Sequence, residues 1–544
     1  MVDQRDTSTD PDRTPSLARA SGTMAIATVV SRVTGLVSKV FLTAVVGLGV
    51  VNDSYTVANT LPTVVNELLL GGVLTSIAVP LLVRAHQQGR DEGEQYAQWM
   101  ITMGAVLLAA ATVLSVAAAP LLTYLYLGPD TRANAELTTA FAYLLLPGIV
   151  FYGLSALLAA ILNTRERFAA PAWAPVMNNC VVITAIAVYA MVPGEISIDP
   201  VRMGDTKLLI LAVGTVLGIA CQSLVIVAAL RRAGFRFRWR WGWDHRLSEF
   251  GSLAFWVVFY TVISQIGMIV AIRVTGQGTE GSVATFTYAW LLSQVPYGVL
   301  GFSLLTALMP RISRAAGSGD TPQFIAHLSL GTRMSGVMLL PLSALMVIAG
   351  GPIGIALFSL GETSVSAADR LGTTLAYSAL GIVPFAITML QLRAFYAMKD
   401  AHTPTIINAI MVVVRAALCY VALAVLAPED VVAGVAFAMS LSFVLGAIVG
   451  QVWLHVRVGP QRTRHTLVSL ARGLLATGIA CLVAVPAAHG AVAVLGPFGP
   501  TGTAWLMLTI ESIIVLGGSF GLLALLRAPE LVPATERLRG VLRR

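Results

Sequence analysis

The composition of this 544-residue chain is that of a protein whose solvent is largely lipid. Hydrophobic residues make up 56% of the chain and charged residues 11%, whereas an average soluble domain is about 25% charged. Mean hydropathy is +0.80 and the formal net charge is +8. These values exclude a soluble globular protein and predict an all-α integral membrane protein.

Fourteen apolar stretches follow one another along the chain, each long enough for the roughly 20 helical residues that cross a bilayer. They lie near residues 22–48, 54–83, 97–126, 134–162, 170–192, 207–230, 250–274, 282–309, 324–349, 369–397, 403–426, 431–456, 466–487 and 502–526. The sequence therefore predicts fourteen transmembrane helices.

Basic residues mark every second connection between these spans. Connections such as "NTRERF" and "PRISR" carry several Arg, whereas the connections between them, such as "GQGTEG" and "APED", carry almost none. Because cytoplasmic loops retain Lys and Arg, the alternation predicts that both termini are cytoplasmic. The net positive charge is then a topology signal and indicates no nucleic-acid partner.

One basic connection, "RRAGFRFRWRWGWDHR", interleaves Arg with Phe and Trp. This pattern is typical of a segment that lies in the headgroup layer of a membrane. Binding to single-stranded nucleic acid is the alternative that such a pattern allows, but the neighbouring spans favour the membrane interpretation.

Two stretches of the first half recur in the second half, about 230 residues later. "LPTVVNELLLGGVLTSIAVPLLVRA" (61–85) resembles "VPYGVLGFSLLTALMPRISRA" (295–315), and "ILNTRERFAAPAWAPVMNN" (161–179) resembles "FYAMKDAHTPTIINAI" (395–410). An even number of spans per copy leaves both copies with the same orientation, so we predict a parallel duplication with a substrate site between the two halves.

The predicted organisation follows from the spans and the repeat. It comprises a disordered cytoplasmic tail (1–20), an N-lobe of six helices (21–230), a basic and aromatic interfacial linker (231–249), a C-lobe of six helices (250–456), two additional helices (457–530) and a basic cytoplasmic tail (531–544). The two lobes are expected to be pseudo-symmetric.

Two cations, Arg32 and Lys39, stand inside the first span with no acid beside them. They are two helical turns apart, which places them on one face at a separation of about 10 Å along the axis. A charge at mid-membrane costs about 2.5 to 3.5 kcal/mol on insertion scales and usually faces an interior cavity. Since guanidinium groups bind phosphate oxygens in bidentate fashion, we predict a cavity for a phosphate or pyrophosphate headgroup.

Five further ionisable residues are candidate substrate contacts: Asp53, Glu67, Arg273, Arg393 and Arg415. Each also has a structural interpretation. Long basic side chains, including that of Lys39, can reach a headgroup layer, an Asp at the start of a span can cap a helix, and a Glu inside a span can pair with a nearby cation.

Sequence signatures of enzymes and metal sites are missing from the chain. It has no Walker loop, no HExxH and no GxSxG, and its seven His and four Cys lack metal-ligand spacing. We therefore predict no catalytic residues, no metal and no cofactor. Energy for transport would come from an ion gradient, such as that of a monovalent cation, from the membrane potential or from the gradient of the substrate itself.

Four stretches of the chain carry a family resemblance. "SRVTGLVSKVFLTAVVGLGVVNDSYTVANTLPTVVNELLLGG", "LNTRERFAAPAWAPVMNN", "YAWLLSQVPYGVLGFSLLTALMPRISR" and "LRAFYAMKDAHTPTIINA" resemble the MurJ (MviN) family. Its members are lipid II flippases of the multidrug/oligosaccharidyl-lipid/polysaccharide (MOP) exporter superfamily. The resemblance implies two lobes around a cationic cavity in the bacterial cytoplasmic membrane. It also implies that the substrate is the undecaprenyl-pyrophosphate-linked peptidoglycan precursor.

By position, the resemblance puts Arg32 on an essential arginine of the first span and Asp53 on an acid that follows it. The chain also departs from the family pattern. Ser38 and Lys39 replace an Arg-Asp pair, Asn66 replaces an Arg of span two, and Leu291 with Gln294 replaces a cation and an acid of span eight. We expect Lys39, Arg273 or Arg415 to supply the missing positive charge.

Other functions remain open from the sequence. The chain could export a polysaccharide-linked lipid or a drug, as other members of the superfamily do, although a drug site would favour acids over Arg32 and Lys39. It could also act as a membrane scaffold for cell-wall synthesis or division proteins. In each case membrane lipids are expected partners.

Overall fold

The computed structural model describes residues 13–71, 82, 90–241, 251–461, 463–496, 498–526 and 530. The first half of the chain forms α1 (Arg13–Val46), α2 (Val50–Asn66), α3 (Arg90–Ala117), α4 (Ala119–Leu127), α5 (Ala135–Leu145), α6 (Gly148–Thr164), α7 (Ala169–Met191) and α8 (Thr206–Arg232). The second half forms α9 (Gly251–Thr275), α10 (Ser282–Pro296), α11 (Phe302–Gly317), α12 (Thr321–Ile348), α13 (Gly350–Phe358), α14 (Val365–Ala379), α15 (Ile382–Ala397), α16 (His402–Val425) and α17 (Val431–Val458). Two more helices follow, α18 (Thr463–Leu495) and α19 (Gly499–Leu525).

The predicted all-α membrane fold is confirmed. Ten helices in the described residues are long and apolar enough to cross a membrane, or thirteen if each bent pair of helices is counted as one span. Large apolar side chains are exposed along the outer helix faces; Leu482 is 77% exposed and Val413 is 68% exposed. Such continuous apolar surface is suited to lipid. The count of fourteen stays a prediction, because span two runs into residues 72–81, outside the described residues.

Several helices begin at polar residues whose side chains satisfy the free N–H groups of the first turn. The side chain of Asn134 accepts from the N–H of Leu137 at the start of α5, and that of Asp205 accepts from the N–H groups of Lys207 and Leu208 at the start of α8. These caps stabilise the ends that face away from the basic loops.

The internal repeat is visible in the backbone. A π-helical break, Glu67–Gly71, continues α2, and a second break, Tyr297–Gly301, continues α10. The pair α5 and α6 bends by 46°, and the pair α14 and α15 bends by 44°. Because these irregularities occur at matching positions of the two halves, they support the predicted duplication.

Most buried apolar residues belong to one core per half. The first core draws almost entirely on residues 42–235, and the second draws on residues 271–454. A third cluster joins the start of the second half to Ala484 and Val515 of the last two helices, with Leu36 and Val40 of α1 against it. The boundaries predicted for the lobes stay a prediction.

Some predicted segments fall wholly or partly outside the described residues. These are residues 1–12 of the N-terminal tail, 242–250 around the end of the linker, and the C-terminal tail 531–544. Helix α1 begins at Arg13, inside the segment predicted as a tail.

Candidate substrate-binding cavity

Arg32 and Lys39 line the same cavity, whose volume is about 330 Å³. Five helices of the first half and α10 of the second half enclose it. Its lining residues are Ser31, Arg32, Gly35, Leu36, Ser38, Lys39, Tyr55, Asn59, Tyr152, Pro175, Asn178, Asn179, Val182, Thr215, Leu291 and Val295. The cavity therefore lies where the two halves meet.

The guanidinium group of Arg32 lies against the backbone of Gly298, in the π-helical break after α10. A Cβ atom at Gly298 would overlap the Cζ and both terminal nitrogens of Arg32. Only glycine offers so flat a surface to a planar cation. The break in the second half thus supports the cation of the first helix.

Lys39 is half-buried and lies above an aromatic ring. Its Nζ is 5.8 Å from the centroid of the Tyr55 ring, a cation–π geometry. The hydroxyl of Tyr55 is 2.9 Å from the hydroxyl of Thr215 on α8, which fixes the ring. Lys39 is thereby positioned by two other helices.

The cavity is electropositive. No Asp or Glu is among its lining residues, and in the described part of the chain neither Arg32 nor Lys39 takes part in an ion pair. Arg32 is exposed and Lys39 is half-buried, so an anion that enters the cavity can reach both positive charges and meets no acidic side chain there.

Asparagine side chains of α7 hold α1 in place beside the cavity. The amide of Asn179 donates to the carbonyl of Ser31 at 3.0 Å and to the hydroxyl of Thr34 at 2.9 Å. These bonds fix the rotation of α1 and therefore the direction of Arg32. Neither Asn179 nor Gly298 was predicted as a positioning residue. An asparagine stands four residues after a proline in both repeated stretches, at Asn179 and Asn408, and this was the available signal.

Asp53 lies outside the cavity and joins the two halves. It is 2% exposed, and its two carboxylate oxygens accept from the N–H groups of Gly281 and Ala284, each at 2.8 Å. Its neighbour Asn52 accepts from the Tyr288 hydroxyl at 2.7 Å. Asp53 of α2 therefore caps α10 across the lobe boundary.

Glu67 and Arg273 also contact the opposite half. The Nε2 of Gln265 on α9 donates to the Glu67 carboxylate at 2.7 Å. The guanidinium of Arg273 lies where a side chain at Gly128 would project. Neither residue lines the cavity.

Arg415 and Arg393 belong to α16 and α15 of the second half and lie outside the cavity. Arg415 is 7% exposed, donates from Nε to the Ser442 hydroxyl at 3.3 Å and lies 5.5 Å from the Phe443 ring centroid. Arg393 is exposed. The structure therefore unites Arg32 with Lys39 and leaves Arg273, Arg393 and Arg415 elsewhere; their contact with substrate stays a prediction.

The chemistry that the cavity offers is electrostatic. Among the described residues, no group of three or more His, Cys, Asp or Glu is placed to hold a metal ion. The cavity can bind an anion between the guanidinium group of Arg32, the ammonium group of Lys39 and the amides of Asn59 and Asn178.

A family model described as "Lipid II flippase MurJ" matches residues 42–508. The match includes both halves of the chain and all the candidate residues except Arg32 and Lys39. The chain belongs to the MurJ lipid II flippase family.

Individual MurJ proteins are similar over most of their length. The chain is 28% identical over 411 residues to the probable lipid II flippase MurJ of Rhizobium meliloti (strain 1021), covering 74% of this chain and 75% of that protein. It is 27% identical over 401 residues to the lipid II flippase MurJ of Burkholderia cenocepacia, covering 72% and 75%.

Solved structures share the fold. The structure titled "Lipid II flippase MurJ, inward closed conformation" gives a TM-score of 0.72 at 20% identity, covering 92% of this chain and 99% of that one. An inward-facing multidrug resistance MATE transporter of the MOP superfamily gives 0.63 at 16% identity, covering 79% and 94%. The predicted MurJ resemblance is confirmed by the family model, and these structures show that the chain shares the fold.

The resemblance implies missing cations at three positions of this chain. Ser38 and Leu291 line the cavity, whereas Asn66 does not. Lys39, next to Ser38, is the one of the three expected replacement cations that the structure brings into the cavity.

Proposed function

We propose that this MurJ family member moves lipid II from the inner to the outer leaflet of the bacterial cytoplasmic membrane by alternating access. The observation that carries the proposal is the cavity between the halves, which holds Arg32 and Lys39 and has no acidic lining residue. The relatives that match over most of the chain are named for the same substrate.

The pyrophosphate head of a polyprenyl-linked precursor suits this cavity. A guanidinium group can bind two phosphate oxygens at once, and a nearby ammonium group adds a point charge. A hydrogen bond to a charged group contributes about 1.5 to 3 kcal/mol, which offsets part of the cost of taking a diphosphate out of water. The polyprenyl chain stays in the lipid phase.

Contacts between the halves support alternating access. Besides the Asp53 cap, the N–H of Arg132 donates to the carbonyl of Gly276 at 2.9 Å, and the hydroxyl of Thr363 donates to the carbonyl of Thr43 at 2.7 Å. All lie at the end of the molecule opposite to the basic loops. Opening towards the outer leaflet requires that these bonds break, so they stabilise the state in which that end is closed.

The membrane potential is the proposed source of energy. The cytoplasmic side is negative, so an anionic head that moves outward gains about 2.3 kcal/mol per charge per 100 mV. Because the cations of the cavity belong to the protein, no counter-ion has to be transported outward together with the anionic head. Coupling to a monovalent cation gradient is the alternative.

Both termini are proposed to face the cytoplasm, and proteins of cell-wall synthesis or division are proposed as partners. The orientation is supported by the Arg-rich ends of α6 and α8, which lie at one end of the molecule. The partner proposal follows from the proposed substrate, which is a precursor of the cell wall.

Depletion and complementation test the function. In a bacterium without a paralogue, depletion should leave lipid II in the inner leaflet, measured with a membrane-impermeant reagent that modifies lipid II at the outer surface. Wild type and the control Arg311→Ala, which removes an exposed cation outside the cavity, should restore labelling, and Arg32→Ala should not. A membrane scaffold would tolerate Arg32→Ala, and unchanged labelling after depletion would contradict the proposal.

A further inference from the structure

The two halves contain the same turn with different chemistry. In the second half, the turn between α15 and α16 contains a residue with positive φ, Lys399 (φ 60°), followed by Asp400. In the first half, the turn between α6 and α7 contains Glu166 (φ 58°) at the same position, followed by Arg167. The duplication therefore places a cation where the other copy has a carboxylate.

In the second half the carboxylate caps the helix. Asp400 accepts from the N–H of Thr403 at 3.0 Å and from its hydroxyl at 2.7 Å. Partial burial alone would raise the pKa of Asp400, but these bonds, together with the charge of Arg457, hold it below its ordinary value. The start of α16 thus has an internal anion between its N–H groups and an arginine.

In the first half this anion is missing. Phe168, the residue at the N-cap of α7, makes no side-chain cap hydrogen bond. The residues that correspond to His402 and Thr403 are Ala169 and Ala170, whose N–H groups begin a 23-residue helix. At the positive end of this helix Arg167 stands at the position of Asp400, and the side chains of Arg167 and its neighbour Glu166 are both exposed.

A cavity of about 350 Å³ lies at this turn. It is lined by Leu162, Glu166, Arg167, Phe168, Ala169, Ala170, Ala229 and Arg232. In the described part of the chain neither Arg167 nor Arg232 forms an ion pair. Two arginines and one glutamate leave the cavity with net positive charge, while its walls are largely apolar.

The surroundings of the cavity are those of a membrane surface. The adjoining segment is fixed along α3, where the Gln98 amide donates to the carbonyl of Arg236 at 2.9 Å and the N–H of Arg240 donates to the hydroxyl of Thr102 at 3.2 Å. The side chains of Trp239 and Trp241 are 63% and 70% exposed. Exposed Trp beside Arg is typical of the layer of lipid headgroups.

We propose that this cavity is a binding site for an anionic glycerophospholipid of the cytoplasmic leaflet. The phosphodiester group lies between Arg167, Arg232 and the start of α7, in the place that the Asp400 carboxylate occupies in the second half. The acyl chains follow the apolar wall formed by Leu162, Phe168 and Ala229. The site is separate from the substrate cavity and anchors the first half to the inner leaflet.

Native mass spectrometry of the purified full-length protein tests the site. Titration with phosphatidylglycerol and with phosphatidylcholine of the same acyl chains should show a preference of about tenfold or more for the anionic lipid, since each basic residue near a membrane surface contributes about one tenfold step or slightly less. Arg167→Gln with Arg232→Gln should abolish the preference. The control pair Arg311→Gln with Arg314→Gln removes the same charge from the second half and should leave it unchanged.

A second variant separates binding from folding. Arg167→Asp installs the carboxylate that the second half already has, so α7 should gain an internal cap and the thermal midpoint should equal or exceed that of wild type, while the lipid preference is lost. If this variant fails to fold, the double Gln variant decides the question.

Four results would overturn the proposal. They are equal binding of the two lipids by wild type, equal losses in the site and control pairs, an unchanged preference in folded Arg167→Asp, and binding of inorganic phosphate alone as strong as that of the lipid. Arg32→Ala should keep the lipid preference, so a failure of the flippase proposal is distinguishable from a failure of this one.

Discussion

The two π-helical breaks are the clearest comparison between the halves of the molecule. The first break carries an acid, Glu67, bonded to Gln265 of α9, and the second carries Gly298, against which Arg32 of α1 lies. Each break therefore contacts the first helix of the opposite half. The duplication has kept the backbone geometry and changed the side chains, so that one break carries an acid that bonds across the halves and the other supports a cation of the candidate cavity.

The largest expected effect comes from filling the second break. Gly298→Ala should displace the Arg32 guanidinium, because a Cβ atom there overlaps it. Loss of a charge-assisted contact of about 1.5 to 3 kcal/mol should weaken lipid II binding roughly 10- to 100-fold, measured by titration of the purified protein.

The matched control lies in the first break. At Gly71 an added Cβ atom would meet Glu67 Cβ at 3.8 Å, an ordinary contact. Gly71→Ala should therefore bind lipid II like wild type. Equal losses of lipid II affinity in Gly298→Ala and Gly71→Ala would contradict this difference between the two breaks.

A smaller effect is expected at the cap that joins the halves. Asp53→Asn keeps one acceptor oxygen but loses the negative charge and one of the two hydrogen bonds to backbone N–H groups. This should destabilise the state with a closed outer end by about 1 to 3 kcal/mol. Spin labels attached at positions 132 and 280 should be farther apart in Asp53→Asn than in the protein without this substitution, as measured by electron paramagnetic resonance. Asp430→Asn is the control, since Asp430 precedes α17 without a side-chain cap hydrogen bond; unchanged distances in Asp53→Asn would contradict the role of the cap.

The smallest effect is expected at Glu67. In Glu67→Gln the amide oxygen can still accept from Gln265, so transport should fall less than about twofold. Glu67→Ala leaves that donor unpaired and should lower stability by about 1 kcal/mol, measured by thermal unfolding. A complete loss of transport in Glu67→Gln would mean that the first break needs its charge and contributes to the transport step itself.

Spacing along one helix explains what could be predicted. Arg32 and Lys39 share a face because they are two turns apart, and the absence of a neighbouring acid already indicated an anion cavity. The repeat likewise predicted two matching halves. These inferences need only the periodicity of a helix and the free-energy cost of placing a charged side chain inside a membrane.

Contacts between helices could not be predicted in the same way. Nothing in the sequence pairs Gly298 with Arg32, because glycine has no side chain to signal a contact. Arg273 is a cation inside a span like Arg32, yet it lies against Gly128 and not in the cavity. For Asp53 the helix cap was the structural alternative; that the capped helix belongs to the other half required the fold.

Titration of lipid II by native mass spectrometry tests the central claim most directly. Wild type should bind it, Arg32→Ala and Lys39→Ala should each weaken binding by about tenfold or more, and the double variant should weaken it further. Arg311→Gln, which changes an exposed cation outside the cavity, should leave the affinity within about twofold. Equal affinity of wild type and the double variant would contradict the claim that this cavity holds the diphosphate.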